Sequence, residues 1–166
     1  MKLENIPSGA PENPNVVIEI PAGSPNKFEY DETSESLKLD FVFRNGFHFP
    51  FNYGFIPHTL AEDNDPLDAV VMSSHPIPPQ TVVTVKPIAI LKLKDRGEQD
   101  NKLITVPLVD ALAEELNSLA DLTKSKKQQI IDFFTEVGVQ KNKKMDIEGF
   151  DDREAAIEEI KKHSRS

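Results

Sequence analysis

Cysteine is absent from this chain of 166 residues, and with it go disulfides, a thiol nucleophile and any zinc site of the cysteine-rich kind. Basic residues are scarce relative to acidic ones: 19 Lys and Arg against 28 Asp and Glu leave a formal net charge of -9 and a pI near 4.9. A general nucleic-acid surface needs clustered cations, so none is expected, and an acidic substrate has to be met through metals or local lysines. No apolar run approaches the roughly 18 residues of a membrane span, and Met1 to Pro7 has nothing like a signal-peptide core. Membrane insertion and export are therefore not expected, and a cytoplasmic address is. Internal repeats and low-complexity linkers are missing too, so one domain over residues 1–166 is the expectation.

What is present begins with punctuation. Thirteen prolines fall at segment edges such as Pro21, Pro25, Pro50, Pro57, Pro66 and Pro107, which suits short strands. Val16 to Ile20, Leu37 to Phe43, Leu67 to Met72, Val82 to Leu93 and Leu103 to Val106 read as those strands. The alternation in Leu37-Lys38-Leu39-Asp40-Phe41 predicts a half-buried sheet face. After Pro107 the period becomes helical through Leu112, Leu116 and Leu119, then Ile130, Ile131, Phe133, Phe134 and Val137, with Gly138 at the expected helix end. A last helix is expected from near Asp151 or Asp152, acidic first and ending in Lys161, Lys162 and His163, as the helix dipole favours. Strands first and helices last predict an α+β fold, a small closed or partly closed barrel with helices outside it.

The most informative stretch is Glu62-Asp63-Asn64-Asp65-Pro66-Leu67-Asp68, which leads directly into apolar Ala69 to Met72. Carboxylates this close raise one another's pKa values unless a cation joins them. A solvated acidic turn is the simpler account of this stretch taken alone. A calcium loop starting at Asp63 fails where Leu67, Asp68 and Ser74 stand in place of a polar ligand, a glycine and a glutamate. An aspartate-nucleophile turn usually follows a buried strand, and Thr59 to Glu62 makes a poor one. A second acidic group, Asp95 to Asp100, reads as a strand-to-strand loop, an ordinary place for Asp and Gly. If both groups open on one end of the barrel, their aspartates offer an oxygen-only site that favours magnesium or manganese over zinc. Two such cations acidify a shared water and clamp a phosphoryl oxygen, which is phosphoryl-transfer chemistry.

Several segments, in this order and spacing, resemble the soluble inorganic pyrophosphatases. They are Val17 to Ala22, Lys27-Phe28-Glu29-Tyr30, Pro50-Phe51-Asn52-Tyr53-Gly54-Phe55-Ile56-Pro57-His58-Thr59, Asp63 to Val71, Lys86 to Leu91, and Asp100-Asn101-Lys102-Leu103. The resemblance implies a barrel of the oligonucleotide-binding type, hydrolysis of diphosphate with Mg2+ (Mn2+ being the alternative ion), and a homo-oligomer, for this size a hexamer. It implies that Asp63, Asp68 and Asp100 are the main metal ligands, with Asp95 and Glu19 serving additional ions. Asp65 resembles the base, Lys27, Tyr53 and Lys102 the phosphate-holding groups, and Glu29 a carboxylate behind them. Without the resemblance, Lys27 and Lys102 are solvated lysines, Glu19 and Glu29 outward strand residues, and Tyr53 a packed aromatic.

Four positions depart from the family's pattern. Phe41 stands where it has an arginine, Phe49 where it has a tyrosine, and Val137-Gly138 where it has a Tyr-Lys pair. At roughly 1.5 to 3 kcal/mol per charged hydrogen bond, the loss comes to about 4 to 6 kcal/mol if nothing compensates. That slows turnover about a thousandfold. Arg44, Lys141, Lys143 and Lys144 are the cations near enough in the chain to compensate, with Arg44 on the opposite face of an ideal strand from Phe41. Three readings stay open at this point: a pyrophosphatase, ordinary or weakened; a hydrolase whose apolar substitutions suit an organic phosphate; and a metal-binding or assembly subunit without turnover.

Overall fold

The computed structural model describes residues 1–165. In chain order its elements are β1 (Gly9–Ala10), β2 (Asn13–Ile20), β3 (Asn26–Asp31), β4 (Ser36–Val42), β5 (Asn52–Phe55), β6 (Asp68–Val71), β7 (Val82–Asp95), β8 (Glu98–Gln99), β9 (Lys102–Pro107), α1 (Leu112–Glu115), α2 (Lys124–Gln140), β10 (Met145–Asp152) and α3 (Arg153–His163). The 14-residue β7 organises them, pairing with β2, β9, β10 and β8 along its length. Because β2 also pairs with β5, β5 with β6 and β6 with β9, the strands β2, β5, β6, β9 and β7 close into a ring. Closure leaves these strands without free edges along the paired stretches. The expected α+β class, with strands closing on themselves and helices outside, is what the chain forms.

Two apolar clusters lie on opposite faces of the same strands. Val70, Ile104 and Val106 pack with Phe49, Phe51, Phe133 and Phe134 on the side covered by α2. Ala69, Val71 and Leu103 pack with Ile56, Ala156 and Ile160 on the side of α3. Being buried on both faces explains why β6 and β9 read as continuous apolar runs. The expected half-buried face of β4 is formed only in part: Leu37 and Phe41 are partly buried, but Leu39 is 57% exposed, because β3 and β4 form a separate two-stranded ribbon.

Two other expectations are corrected, and one strand is added. Leu112 to Leu119 yields a single helical turn and a 3-10 turn, since Leu116 already has extended backbone. Gly138 does not end α2, which runs to Gln140. Its end is set by Asn142 in the left-handed region (φ 52°), with the Asn142 and Lys143 N–H groups donating back to the Val139 and Gly138 carbonyls. That is the Schellman arrangement, in which Asn is a known substitute for Gly. β10 went unread because a register shift between Ile147 and Gly149 breaks its alternation. α3 starts where expected, capped by the Asp152 side chain.

Candidate active site

Strand register builds the centre of the site. In the parallel β6–β9 pair, Asp68 lies beside Lys102. On β5, Tyr53 sits opposite Val70, two residues from Asp68 and so on the same face. These neighbours become contacts: the Lys102 ammonium donates to Asp68 (2.7 Å) and Asp100 (2.9 Å), and the Tyr53 hydroxyl donates to Asp68 (2.7 Å). Lys102 is 4% exposed, not the solvated lysine its type suggests. Burial alone would lower its pKa, but Asp68, Tyr53 and Asp100 outweigh burial and hold it well above the ordinary lysine range.

The loop from β5 to β6 brings in Asp63 and Asp65. Buried Thr59 shapes it, accepting from the Leu67 N–H (2.9 Å) and donating to the Ile56 carbonyl (2.6 Å). The Asp65 N–H donates to the Asp63 carboxylate (3.1 Å), while among the described residues the Asp65 side chain has no hydrogen-bond partner. Burial, and then the Asp100, Asp65 and Asp68 charges, push Asp63 up to about 6. Burial together with Asp68 and Asp100 also raises Asp65.

Glu19 is the residue skipped where the β2–β5 register shifts between Ile18 and Ile20. It is buried, and the Tyr30 N–H donates to it (2.8 Å). Burial, then Asp68, push it up to about 8. The outward reading of Glu19 is thus wrong for this strand, whereas Glu29 on β3 is exposed at the cavity rim. Asn52 of the Pro50–Tyr53 segment is structural: its side-chain oxygen accepts from the Ala22 and Ile77 N–H groups, both at 2.9 Å.

One cavity of about 1100 Å³ collects all of the expected site residues. Its lining includes Asp63, Asp65, Asp68, Asp95 and Asp100, then Glu19 and Glu29, then Lys27, Tyr53 and Lys102. Sequence reasoning did not include Asp40, which accepts from Lys27 (2.9 Å) and Lys141 (3.3 Å). Nor did it place Lys143, which donates to Asp95 at 2.6 Å. Phe49 and Val137 form part of an apolar wall backed by Phe133 and Phe134, while Phe41 packs on Phe43 with ring centroids 5.3 Å apart. Arg44 is exposed and outside the lining.

The donor set suits a hard divalent cation. Among the described residues no three carboxylates close on one point, and an ammonium already bridges Asp68 and Asp100. Asp63, Asp65 and Glu19 are raised first by burial and then by neighbouring carboxylates that this one ammonium does not neutralise. Oxygen-only ligands, with no histidine paired into the group, are what magnesium-type ions take.

Comparison with known proteins agrees with this geometry. Residues 16–166 match the family model described as inorganic pyrophosphatase. The chain is 40% identical to the inorganic pyrophosphatase of Thermus thermophilus over 164 residues, covering 96% of this chain and 94% of that one. It is 43% identical to that of Halalkalibacterium halodurans over 143 residues, 86% and 88% of the two chains. The crystal structure of the Thermus thermophilus protein superposes with a TM-score of 0.90 at 39% identity, covering 97% and 95%. The Helicobacter pylori structure gives 0.89 at 33%, covering 96% and 95%. A match of this length and depth, on a fold and carboxylate site of this kind, places the chain in the inorganic pyrophosphatase family, whose chemistry implies a divalent metal.

Proposed function

We propose that this chain, as a single domain over residues 1–166, hydrolyses diphosphate to two phosphates with Mg2+ as its ion. The observation that carries the reading is the convergence of an unpaired Asp65 carboxylate, the Asp68–Lys102–Asp100 bridge and further carboxylates in one cavity. Asp63, Asp68 and Asp100 hold the main ions in this reading, with Asp95 and Glu19 serving others. Bound magnesium supplies charge neutralisation and acidifies the attacking water; manganese, with similar oxygen preference, is expected to substitute.

The remaining steps belong to the chain. Asp65 accepts the proton of the water whose oxygen bonds to phosphorus. The bridging P–O bond breaks, and the leaving phosphate keeps the bridging oxygen. Lys27, Tyr53 and Lys102 donate to phosphate oxygens, and Glu29 orients the cationic side from the rim. The family match favours neither an organic phosphate nor a subunit without turnover. Among the described residues no helix is long and apolar enough to cross a membrane. A cytoplasmic, homo-oligomeric protein, hexameric as the family resemblance implies, is part of the proposal, and sedimentation tests the assembly.

Phosphate release from magnesium diphosphate decides the matter, with Asp65→Asn prepared in parallel. The variant is expected to lose about 100-fold or more in rate with its fold intact. Full activity in Asp65→Asn would remove the base assignment. A wild type that releases no phosphate above the enzyme-free background would remove the hydrolase reading.

A further inference from the structure

The cavity has a second wall, made by the β3–β4 ribbon and the turn from α2 to β10, and its charges differ from the aspartate side. Two carboxylates, Asp40 and Asp95, are shared there by four cations: Lys27 and Lys141 on the first, Lys143 and Arg96 on the second. In a chain of net charge -9 each of these two carboxylates thus has two cations on it, although Glu29, Asp31, Glu32, Glu35 and Glu98 also line the cavity on this side. Lys141 and Lys143 are held in place and not loose on the surface, with side chains 22% and 13% exposed. Burial, then the Lys27 and Lys143 charges, draw Lys141 below the ordinary lysine range, as expected of cations short of anions.

Their placement follows from backbone geometry. The turn at Asn142 directs the chain so that the Lys144 carbonyl accepts from the Arg96 N–H (2.8 Å) and Met145 pairs with Asp95. Lys143 is thereby set beside Asp95. Gly138 makes this path possible: a Cβ there would lie 2.6 Å from Met145 Cγ and 3.0 Å from the Lys143 carbonyl oxygen. A side chain at 138 would force the Met145 side chain and the Lys143 carbonyl to shift. On the ribbon, the Lys141 ammonium sits 5.7 Å from the centroid of the Phe41 ring. Of the two positions where a cation is missing from the sequence pattern, Phe41 thus has the Lys141 ammonium beside it, and Gly138 has the Lys143 backbone passing over it.

The geometry points to Lys141 and Lys143 as a two-lysine clamp for a phosphate group of the substrate, a specificity-determining pair carried by the turn that Gly138 and Asn142 create. The inference rests on the hydrolase reading for its substrate, and it concerns phosphate binding, which can be measured without turnover. A diphosphate has more terminal oxygens than Lys27, Tyr53 and Lys102 can meet, and phosphate oxygens make strong charge-assisted hydrogen bonds to ammonium groups.

The test is calorimetric binding of inorganic phosphate in the presence of magnesium, alongside kcat and KM for magnesium diphosphate. The proteins are the wild type, Lys141→Ala, Lys143→Ala, Lys143→Arg and Lys144→Ala. Each of the first two alanine variants is expected to weaken phosphate affinity and lower kcat/KM by about tenfold or more, with the fold and magnesium affinity retained. Lys143→Arg should retain most of the affinity. Lys144 is 79% exposed, and its alanine variant should stay within about twofold of wild type. Unchanged phosphate affinity in both Lys141→Ala and Lys143→Ala overturns the clamp, whatever the turnover. A wild type that hydrolyses diphosphate while those variants bind phosphate normally keeps the function and loses the clamp. A wild type that binds phosphate through these lysines yet releases none from diphosphate does the reverse. No phosphate binding and no turnover overturn both.

Discussion

The same side chain behaves oppositely on the two walls of the cavity. On the wall built by β6, β9 and the β5–β6 loop, burial and mutual repulsion raise Asp63 and Asp65, and Glu19 beside them reaches about 8. On the lysine wall, burial again favours the neutral acid, but Lys27 and Lys141 outweigh it at Asp40, and Lys143 and Arg96 at Asp95, so both carboxylates are lowered. The first group of carboxylates is short of cations, whereas Asp40 and Asp95 each have two. The difference shows how a chain of strongly negative charge can receive an anion: the acidic side takes up metal and the lysine side meets the phosphate directly.

The most damaging way to break the comparison is Lys102→Met. It strips the shared ammonium from Asp68 and Asp100 and leaves buried charge without a partner, at a cost of roughly 3 to 5 kcal/mol in metal-free buffer. Urea denaturation with and without magnesium measures it, and magnesium should return part of the loss. A variant as stable as wild type in chelator would mean that Lys102 is not the counter-ion.

Next in size is the pH response of the metal-free protein. Glu19 and Asp63 have folded pKa values above their unfolded ones, so the folded state binds more protons between about pH 4.5 and 8. Their contribution is present below the unfolded values and lost as pH rises through about 6 and then about 8. A fall of a few kcal/mol, most of it from buried Glu19, is expected across this window. Glu19→Gln should flatten its upper part. Asp40 and Asp95 have the opposite sign: their contribution is present above the unfolded value near 4 and lost as pH falls through their lower folded values. Asp40→Asn should therefore blunt the acid limb alone, and urea midpoints of the three proteins against pH would show whether the two limbs separate.

Gly138→Ala probes the lysine wall through its backbone. Forcing Met145 and the 143 carbonyl aside is expected to cost about 1 to 3 kcal/mol. It should also lower phosphate affinity while leaving the aspartate wall's metal affinity alone. The smallest effect is expected from Asn142→Ala, about 1 kcal/mol from the left-handed backbone, with Asn142→Gly neutral or slightly stabilising. An alanine variant of wild-type stability would argue that this turn is not under conformational constraint.

The aspartate wall was legible in the sequence because its residues are close in the chain or lie in recognisable segments. Asp63, Asp65 and Asp68 crowd one turn, and Asp100 follows a hairpin whose Arg96-Gly97 turn has both φ values positive, with Asp95 of the lysine wall just before it. The ordering of Glu19, Lys27, Tyr53 and Lys102 came from family resemblance, not from their types. Which of them is buried did not: Glu19 and Lys102 read as outward residues until the register shift in β2 and the β6–β9 pairing enclosed them. The lysine wall was less legible. Lys141 and Lys143 were candidates beside Arg44 and Lys144, and choosing among the four needs the Schellman turn, the space over Gly138 and the Met145–Asp95 pairing, all of them tertiary facts. Gly138 was legible as a special position and misread as a helix end.

Ring closure has a kinetic consequence. Asn15 pairs with Thr84, and the parallel β6–β9 ladder joins segments separated by the whole of β7. Pairings so distant along the chain make folding slow, on the order of milliseconds to seconds for such topologies. Glu19, Asp68 and Lys102 lie on separate strands of that ring, and Lys143 reaches Asp95 only through the turn before β10. A chain emerging from synthesis therefore holds no half-built site that could trap metal or phosphate early. Phosphate binding should recover during refolding in step with the ring, with no phase of its own.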